Sequence, residues 1–202
     1  MNVAVLASGA GTNLQALLDR VHGRDGVQIV AVASDKPDAP ALQRVRAARI
    51  ANAAFPLTIH PGRLERDRAM ADWLAERDVE LVVLAGYMQL LSAEFLARFP
   101  SRVINVHPAL LPAFPGIRPV QDALAYGVKV FGVTVHFVDD GVDSGPVILQ
   151  RAVELPSVRG PEEVLAVLHP IEHELLPEAV RLIARGAVSF DPANPRRVVI
   201  ER

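Results

Sequence analysis

Residues 3–18 read Val-Ala-Val-Leu-Ala-Ser-Gly-Ala-Gly-Thr-Asn-Leu-Gln-Ala-Leu-Leu, and their order decides the fold class. Val3 to Ala7 is a continuous apolar run, the pattern of a strand buried on both faces, and Leu14, Leu17 and Leu18 then recur at helical spacing. Glycines fill the turn between them. Strand, glycine turn and helix open a βαβ unit, and the same alternation returns along the chain. Val27 to Ala33 reads as a strand, Ala41 to Ile50 as a helix, Phe55 to Leu57 as a short strand and Leu64 to Arg77 as a helix. Val79 to Ala85 is a further strand, Leu91 to Phe99 a helix and Val103 to Val106 a strand. The prediction is an α/β fold with a mostly parallel, doubly wound sheet and helices on both faces. In the second half Val130 to Val138 alternates as a strand with one exposed face. Gly141 to Gly145 is a turn and Val147 to Val153 the hairpin partner, giving an antiparallel C-terminal extension. Glu162 to Ala184 is a long amphipathic helix with kinks expected at Pro170 and Pro177, and Arg197 to Ile200 is a short strand. Neither a repeat nor a linker interrupts residues 1–202, which are expected to form a single domain.

The composition sets limits on function. Half of the 202 residues are hydrophobic and 22% are charged, enough to build a core and too apolar for disorder. Apolar stretches long enough to span a bilayer are absent, and Met1 to Leu6 carries no basic secretory n-region, so no membrane association is expected and the cytoplasm is the default location. The sequence contains no cysteine, which excludes disulfides, thiolate nucleophiles and cysteine-ligated metals. A formal net charge of -2 gives no general footprint for nucleic acid.

Three stretches carry polarity where the fold does not ask for it. Asn105 and His107 interrupt a β-branched run before Pro108; alternation points both to one face, where they either meet one reacting group or are satisfied by local backbone. Ser8 to Asn13 is either an anion cradle at a helix N-terminus or a tight turn with a cap. It lacks the third glycine of a dinucleotide fingerprint and the lysine of a P-loop. Val138 to Gly145 holds Asp139, Asp140 and Asp143 in a turn that does not follow the spacing of an EF-hand. It is a solvated turn unless Asp143 approaches His107, where a carboxylate favours imidazolium and a charged donor beside Asn105 suits an oxyanion. His136 either lines such a site or occupies the sheet surface, and its spacing requires no proton transfer.

Taken together, Val3 to Leu17 with its glycine turn, Leu84-Ala85-Gly86-Tyr87-Met88, Asn105-Val106-His107-Pro108-Ala109-Leu110-Leu111-Pro112 and Asp143-Ser144-Gly145-Pro146-Val147-Ile148 resemble the phosphoribosylglycinamide formyltransferases, folate-dependent enzymes of purine synthesis. The resemblance runs from Met1 to about Gly186. It implies a formyltransferase-like fold in which Asn105, His107 and Asp143 form the catalytic set. Gly11, Thr12 and Asn13 receive the phosphate of glycinamide ribonucleotide, and Arg63 and Glu172 contact the same substrate. Met88, Gln89 and Leu90, with Val138, Asp139, Asp140, Gly141 and Asp143, surround 10-formyltetrahydrofolate. The N-terminal half is thus expected to bind the ribotide phosphate and the C-terminal half the folate, without a metal, and a homodimer is compatible with the family.

The implied reaction moves the formyl group of 10-formyltetrahydrofolate to the amine of glycinamide ribonucleotide. Asn105 and a protonated His107 hold the oxyanion, and Asp143 keeps His107 charged. The chain departs from the family at Ile117-Arg118-Pro119-Val120, where histidines are common, at Gln89, where a basic residue is common, and at Pro170 close to Glu172. Formyltetrahydrofolate deformylase shares the formyl-folate core, but a regulatory domain is expected in front of it and water needs no phosphate cradle. Methionyl-tRNA formyltransferase carries an added RNA-binding domain for which this chain is short. A silent formyl-folate or nucleotide-binding module is the alternative from another class.

Overall fold

At the centre of the sheet the parallel strands form over uninterrupted apolar runs, Val3 to Leu6 and Leu81 to Leu84. In a computed structural model describing residues 1–201, β1 (Asn2–Leu6) pairs in parallel with β2 (Gln28–Ser34) on one side and β4 (Leu81–Leu84) on the other, and β2 pairs in parallel with β3 (Ala51–Ala54). Val3 to Ala7 are all fully buried, as a strand covered on both faces requires. With β5 (Val103–His107), β6 (Val130–Phe137) and β7 (Val147–Glu154), the strands form one seven-stranded sheet in the order β3-β2-β1-β4-β5-β6-β7. The chain divides into two compact units, Met1–Ile104 and the part from Asn105 onward.

In the first unit the helices are α1 (Thr12–Arg20), α2 (Pro40–Ala47), α3 (Arg63–Ala75) and α4 (Ala93–Arg98). Helix α1 turns Leu14, Ala16 and Leu17 inward; each such leucine contributes roughly 1.5–3 kcal/mol relative to exposure. Helix α4 begins at Ser92, whose hydroxyl accepts the Phe95 amide, and α3 packs against it. The strand expected at Phe55 to Leu57 lies instead at Ala51–Ala54: the Phe55 amide donates the last bond to Ser34, and Pro56 then starts a turn in which its carbonyl accepts the Ile59 amide. Leu57 is accordingly exposed.

In the second unit β6 and β7 form the expected antiparallel hairpin. Strand β6 differs from its expected form, because residues 131–137 are all buried. Helix α6 (Pro161–Ala184) packs against it, and α6 continues as one helix through both Pro170 and Pro177, placing Val164, Leu168, Leu175 and Leu176 in the core. Helix α5 (Pro119–Tyr126) was not apparent from the sequence. Its start is fixed by Pro119 at the first turn, where no amide is needed, and its end by Gly127 at φ 86°. The expected final strand is the second arm of a small antiparallel pair, β8 (Val188–Asp191) with β9 (Asn194–Ile200).

Candidate active site

Strand β5 ends in the polar pair. Asn105 and His107 lie two residues apart on one strand and therefore on one face, and His107 is 4% exposed although it is the last residue of the strand. Asp143 reaches both. Its Oδ1 accepts from Asn105 Nδ2 at 3.3 Å, and its Oδ2 lies 3.4 Å from His107 Nδ1 and accepts the Gly116 amide at 2.8 Å. On the far side of the imidazole, Nε2 donates to the Phe114 carbonyl at 2.9 Å. The loop after β5 thus wraps back to hold the histidine that begins it.

His136 joins this group. A carbonyl can only accept, so the 2.7 Å contact to the Phe137 oxygen places a proton on Nδ1. Nε2 faces the Asn105 amide at 3.3 Å and Asp143 Oδ1 at 3.6 Å. Gly132, Thr134 and His136 share one face of β6, and this face is covered by the residues that follow β5. Thr134 Oγ1 donates to the Ala109 carbonyl at 2.7 Å and accepts the Leu111 amide at 3.2 Å, while Gln150 donates to Thr134 and to the Leu111 carbonyl. A Cβ on Gly132 would stand 2.5 Å from Leu110. A register shift between Val135 and His136 re-aims the strand just where the histidine enters the cluster. The sequence left His136 open between lining the site and the sheet surface; the polar residues Thr134 and His136, two apart in an otherwise apolar strand, were the available signal.

Burial and the Asp143 carboxylate pull the His107 imidazole in opposite directions. Burial pushes the imidazole below its ordinary value, and the Phe114 carbonyl and Asp143 offset this only in part, while His136 opposes protonation further. For Asp143 the balance runs the other way: burial pushes the carboxyl up, but the His136 ring, the Gly116 amide and the positive charge of either histidine outweigh it and hold it below the usual carboxylate value.

The acidic turn divides its labour. Asp139 closes it by accepting from the Ser144 hydroxyl and the Gly141 amide, Asp140 is exposed, and Asp143 alone turns to the histidines. Gly145 allows the turn to fold tightly, since a Cβ there would sit 1.8 Å from the Phe137 carbonyl. Among the described residues no three His, Cys, Asp or Glu side chains are grouped to hold a metal ion. Glu172 is buried in α6.

The first unit carries the glycine turn. Gly11 precedes α1 at φ 71° and has no side chain to cap it, and no acidic residue occupies the first turn, so the positive end of the helix is not neutralised by its own sequence. Helix α2 holds the turn closely: Ala41 donates its amide to Gly9, Arg44 Nε donates to the Ala10 carbonyl at 2.7 Å, and a Cβ on Gly11 would meet Ala41 at 2.8 Å. Strands β1 and β4 are neighbours although the chain leaves them in opposite directions across the sheet, which makes their C-terminal ends a topological switch point, the usual ligand position in such sheets. The Ser8 amide donates to Gly86, and the Met88 amide to the Ser8 hydroxyl at 2.9 Å. Arg63, at the start of α3, is exposed; Met88 and Leu90 are exposed and Gln89 is half-buried.

The formyl transferase family model matches residues 1–180. The chain belongs to the formyl transferase family. Within this family it is 37% identical to the phosphoribosylglycinamide formyltransferase of Bacillus subtilis over 179 residues, which cover 88% of this chain and 92% of the relative. It is 42% identical to the phosphoribosylglycinamide formyltransferase of Mycobacterium tuberculosis over 193 residues, covering 93% and 86%. Among solved structures, glycinamide ribonucleotide transformylase 1 from Symbiobacterium toebii superposes with a TM-score of 0.95 at 43% identity, over 100% of this chain and 94% of that one. The mostly parallel sheet with helices is thus a formyl transferase fold.

Proposed function

We propose that this chain is a phosphoribosylglycinamide formyltransferase, transferring the formyl group of 10-formyltetrahydrofolate to the amine of glycinamide ribonucleotide in purine synthesis. The observation that carries the reading is the convergence of Asn105, His107 and Asp143 at the end of β5 in a member of the formyl transferase family. Gly11, Thr12 and Asn13 receive the ribotide phosphate, with Arg63 and Glu172 as further contacts to that substrate. Met88, Gln89 and Leu90 and the turn from Val138 to Asp143 take the formyl-folate. Phosphate binding therefore belongs to the first unit and the chemical step to the second.

The substrate amine attacks the formyl carbon, a C–N bond forms, and the formyl oxygen gains negative charge. Asn105 Nδ2 is placed to meet it: both of its present contacts, to His136 and Asp143, are 3.3 Å long, so a strong acceptor outcompetes them. The developing charge also raises the proton affinity of His107, which burial lowers beforehand. The proton leaving the amine reaches His107 with Asp143 beside it, and the folate nitrogen takes a proton as its bond to the formyl carbon breaks. The same chemistry needs neither a nucleophilic side chain nor a metal.

Incubating the purified protein with 10-formyltetrahydrofolate, with and without glycinamide ribonucleotide, tests the reading. Formylated ribotide and tetrahydrofolate in equal amounts are expected only when both substrates are present. Ribotide-independent formate release identifies a deformylase, and the absence of any product identifies a binding module. The reading goes with a cytoplasmic location, and no described helix is long and apolar enough to cross a membrane. Light scattering on the purified protein tests for the homodimer.

A further inference from the structure

A buried ion pair lies beneath the segment that carries Met88, Gln89 and Leu90. Arg66 and Asp67, adjacent on α3, are both fully buried. Such a pair is a weak device for stability alone, because apolar residues of similar volume usually serve as well. Its hydrogen bonds are more specific. Arg66 Nε donates to Asp67 Oδ1 at 2.8 Å, Nη1 to Gln89 Oε1 at 3.2 Å and Nη2 to the Leu90 carbonyl at 3.0 Å. The second oxygen of Asp67 accepts the Ser92 amide at 2.6 Å, and Gln89 Nε2 donates to Asp35 at 3.1 Å. With the Met88 amide on Ser8, the segment 88–92 is pinned at two amides, one carbonyl and one side chain.

The side chains on this fixed backbone point outward. Met88 is 61% exposed and Leu90 57% exposed. Large apolar side chains held into solvent by a rigid support are the arrangement of a binding contact. Three partners at the corners of one planar group suit a guanidinium, whose donors are fixed in a fork; an ammonium is a single point on a flexible stem.

We propose that Arg66 is a positioning residue. Through Gln89 and the Leu90 carbonyl it sets Met88 and Leu90 against the formyl-folate co-substrate, and it governs the affinity for that co-substrate without taking part in the chemical step. The proposal rests on the formyl-folate reading given above.

Two variants test it. Arg66→Lys keeps a cation beside Asp67 but does not reach all three acceptors. Arg66→Met combined with Asp67→Leu replaces the pair with apolar residues and removes the ties, with folding checked by circular dichroism. The KM for each substrate and kcat are measured in steady state, and tetrahydrofolate binding by calorimetry. In both variants the KM for 10-formyltetrahydrofolate and the Kd for tetrahydrofolate rise about tenfold, while kcat and the KM for the ribotide stay within about twofold. Wild-type folate affinity in the double variant, or a fall in kcat with both KM values unchanged, overturns the assignment. If the wild-type protein itself neither binds tetrahydrofolate nor transfers formyl, the functional reading fails and this inference with it; if it does both and the variants match it, only the role of Arg66 is refuted.

Discussion

Asp143 Oδ2 stands 3.4 Å from Nδ1 of His107, and yet His107 is harder to protonate than a free histidine. The ring is 4% exposed, and the loss of water outweighs one partly screened carboxylate. The pair is therefore set up to accept a proton when negative charge arrives.

The same balance makes stability depend on pH. The folded value of His107 lies below its ordinary 6.5, so between the two the unfolded chain binds more protons and stability rises with pH, its contribution being complete above 6.5. For Asp143 the folded value lies below 3.8; its contribution is complete above 3.8 and is lost as pH falls through the folded value. Urea unfolding in a pH series is expected to show both steps. His107→Gln removes the upper one and leaves the lower, and an unchanged upper step in that variant refutes its assignment to His107.

Removal of a single oxyanion donor typically lowers turnover about a hundredfold or more. Asn105→Ala is expected to do so, and His107→Ala, which removes the group that takes the amine proton, to lower turnover by about a hundredfold or more, both with folding intact as checked by circular dichroism. Near-normal kcat in a folded variant would remove that residue from the catalytic set.

His136→Phe retains the ring but leaves the Phe137 carbonyl without its donor and takes one neighbour from Asn105. An unpaired buried polar group costs about 1–3 kcal/mol, so a stability loss of that size is expected. The Asp143 carboxyl also rises, since the ring helps to hold it down. Carbon-detected NMR titration of Asp143 and urea unfolding measure the two effects separately, and no movement in either counts against the cluster as described.

Gly145→Ala places a methyl group 1.8 Å from the Phe137 carbonyl, which the hairpin cannot accommodate in place. The turn must open and carry Asp143 away from His107. A loss of about 3 kcal/mol or more is expected, with turnover falling as well. Unchanged melting and activity would show that the turn tolerates a side chain there.

Much of the fold was legible because β1 and β4 are buried on both faces. Val3 to Leu6 and Leu81 to Leu84 therefore read as unbroken apolar runs. The eight residues of α5 were not legible: two turns are too short to establish a helical period, and the element is defined by its ends, Pro119 and Gly127. At the site, Asn105, His107 and Asp143 stood out as polarity in the wrong place. His136 did not, because its role depends on a register shift in β6 and on a loop that folds back over the strand. Nor could the sequence supply the lowered proton affinity of His107, which follows from how completely the ring is buried.

Ser8 accepts the Met88 amide on its hydroxyl and donates its own amide to Gly86, so one residue of the glycine turn carries two fastenings to the stretch after β4. The two stretches are thereby joined. Because both partners after β4 are backbone groups, the joint depends on the Ser8 hydroxyl alone, and a chimaera that imports a foreign glycine turn keeps it wherever a hydroxyl stands at position 8.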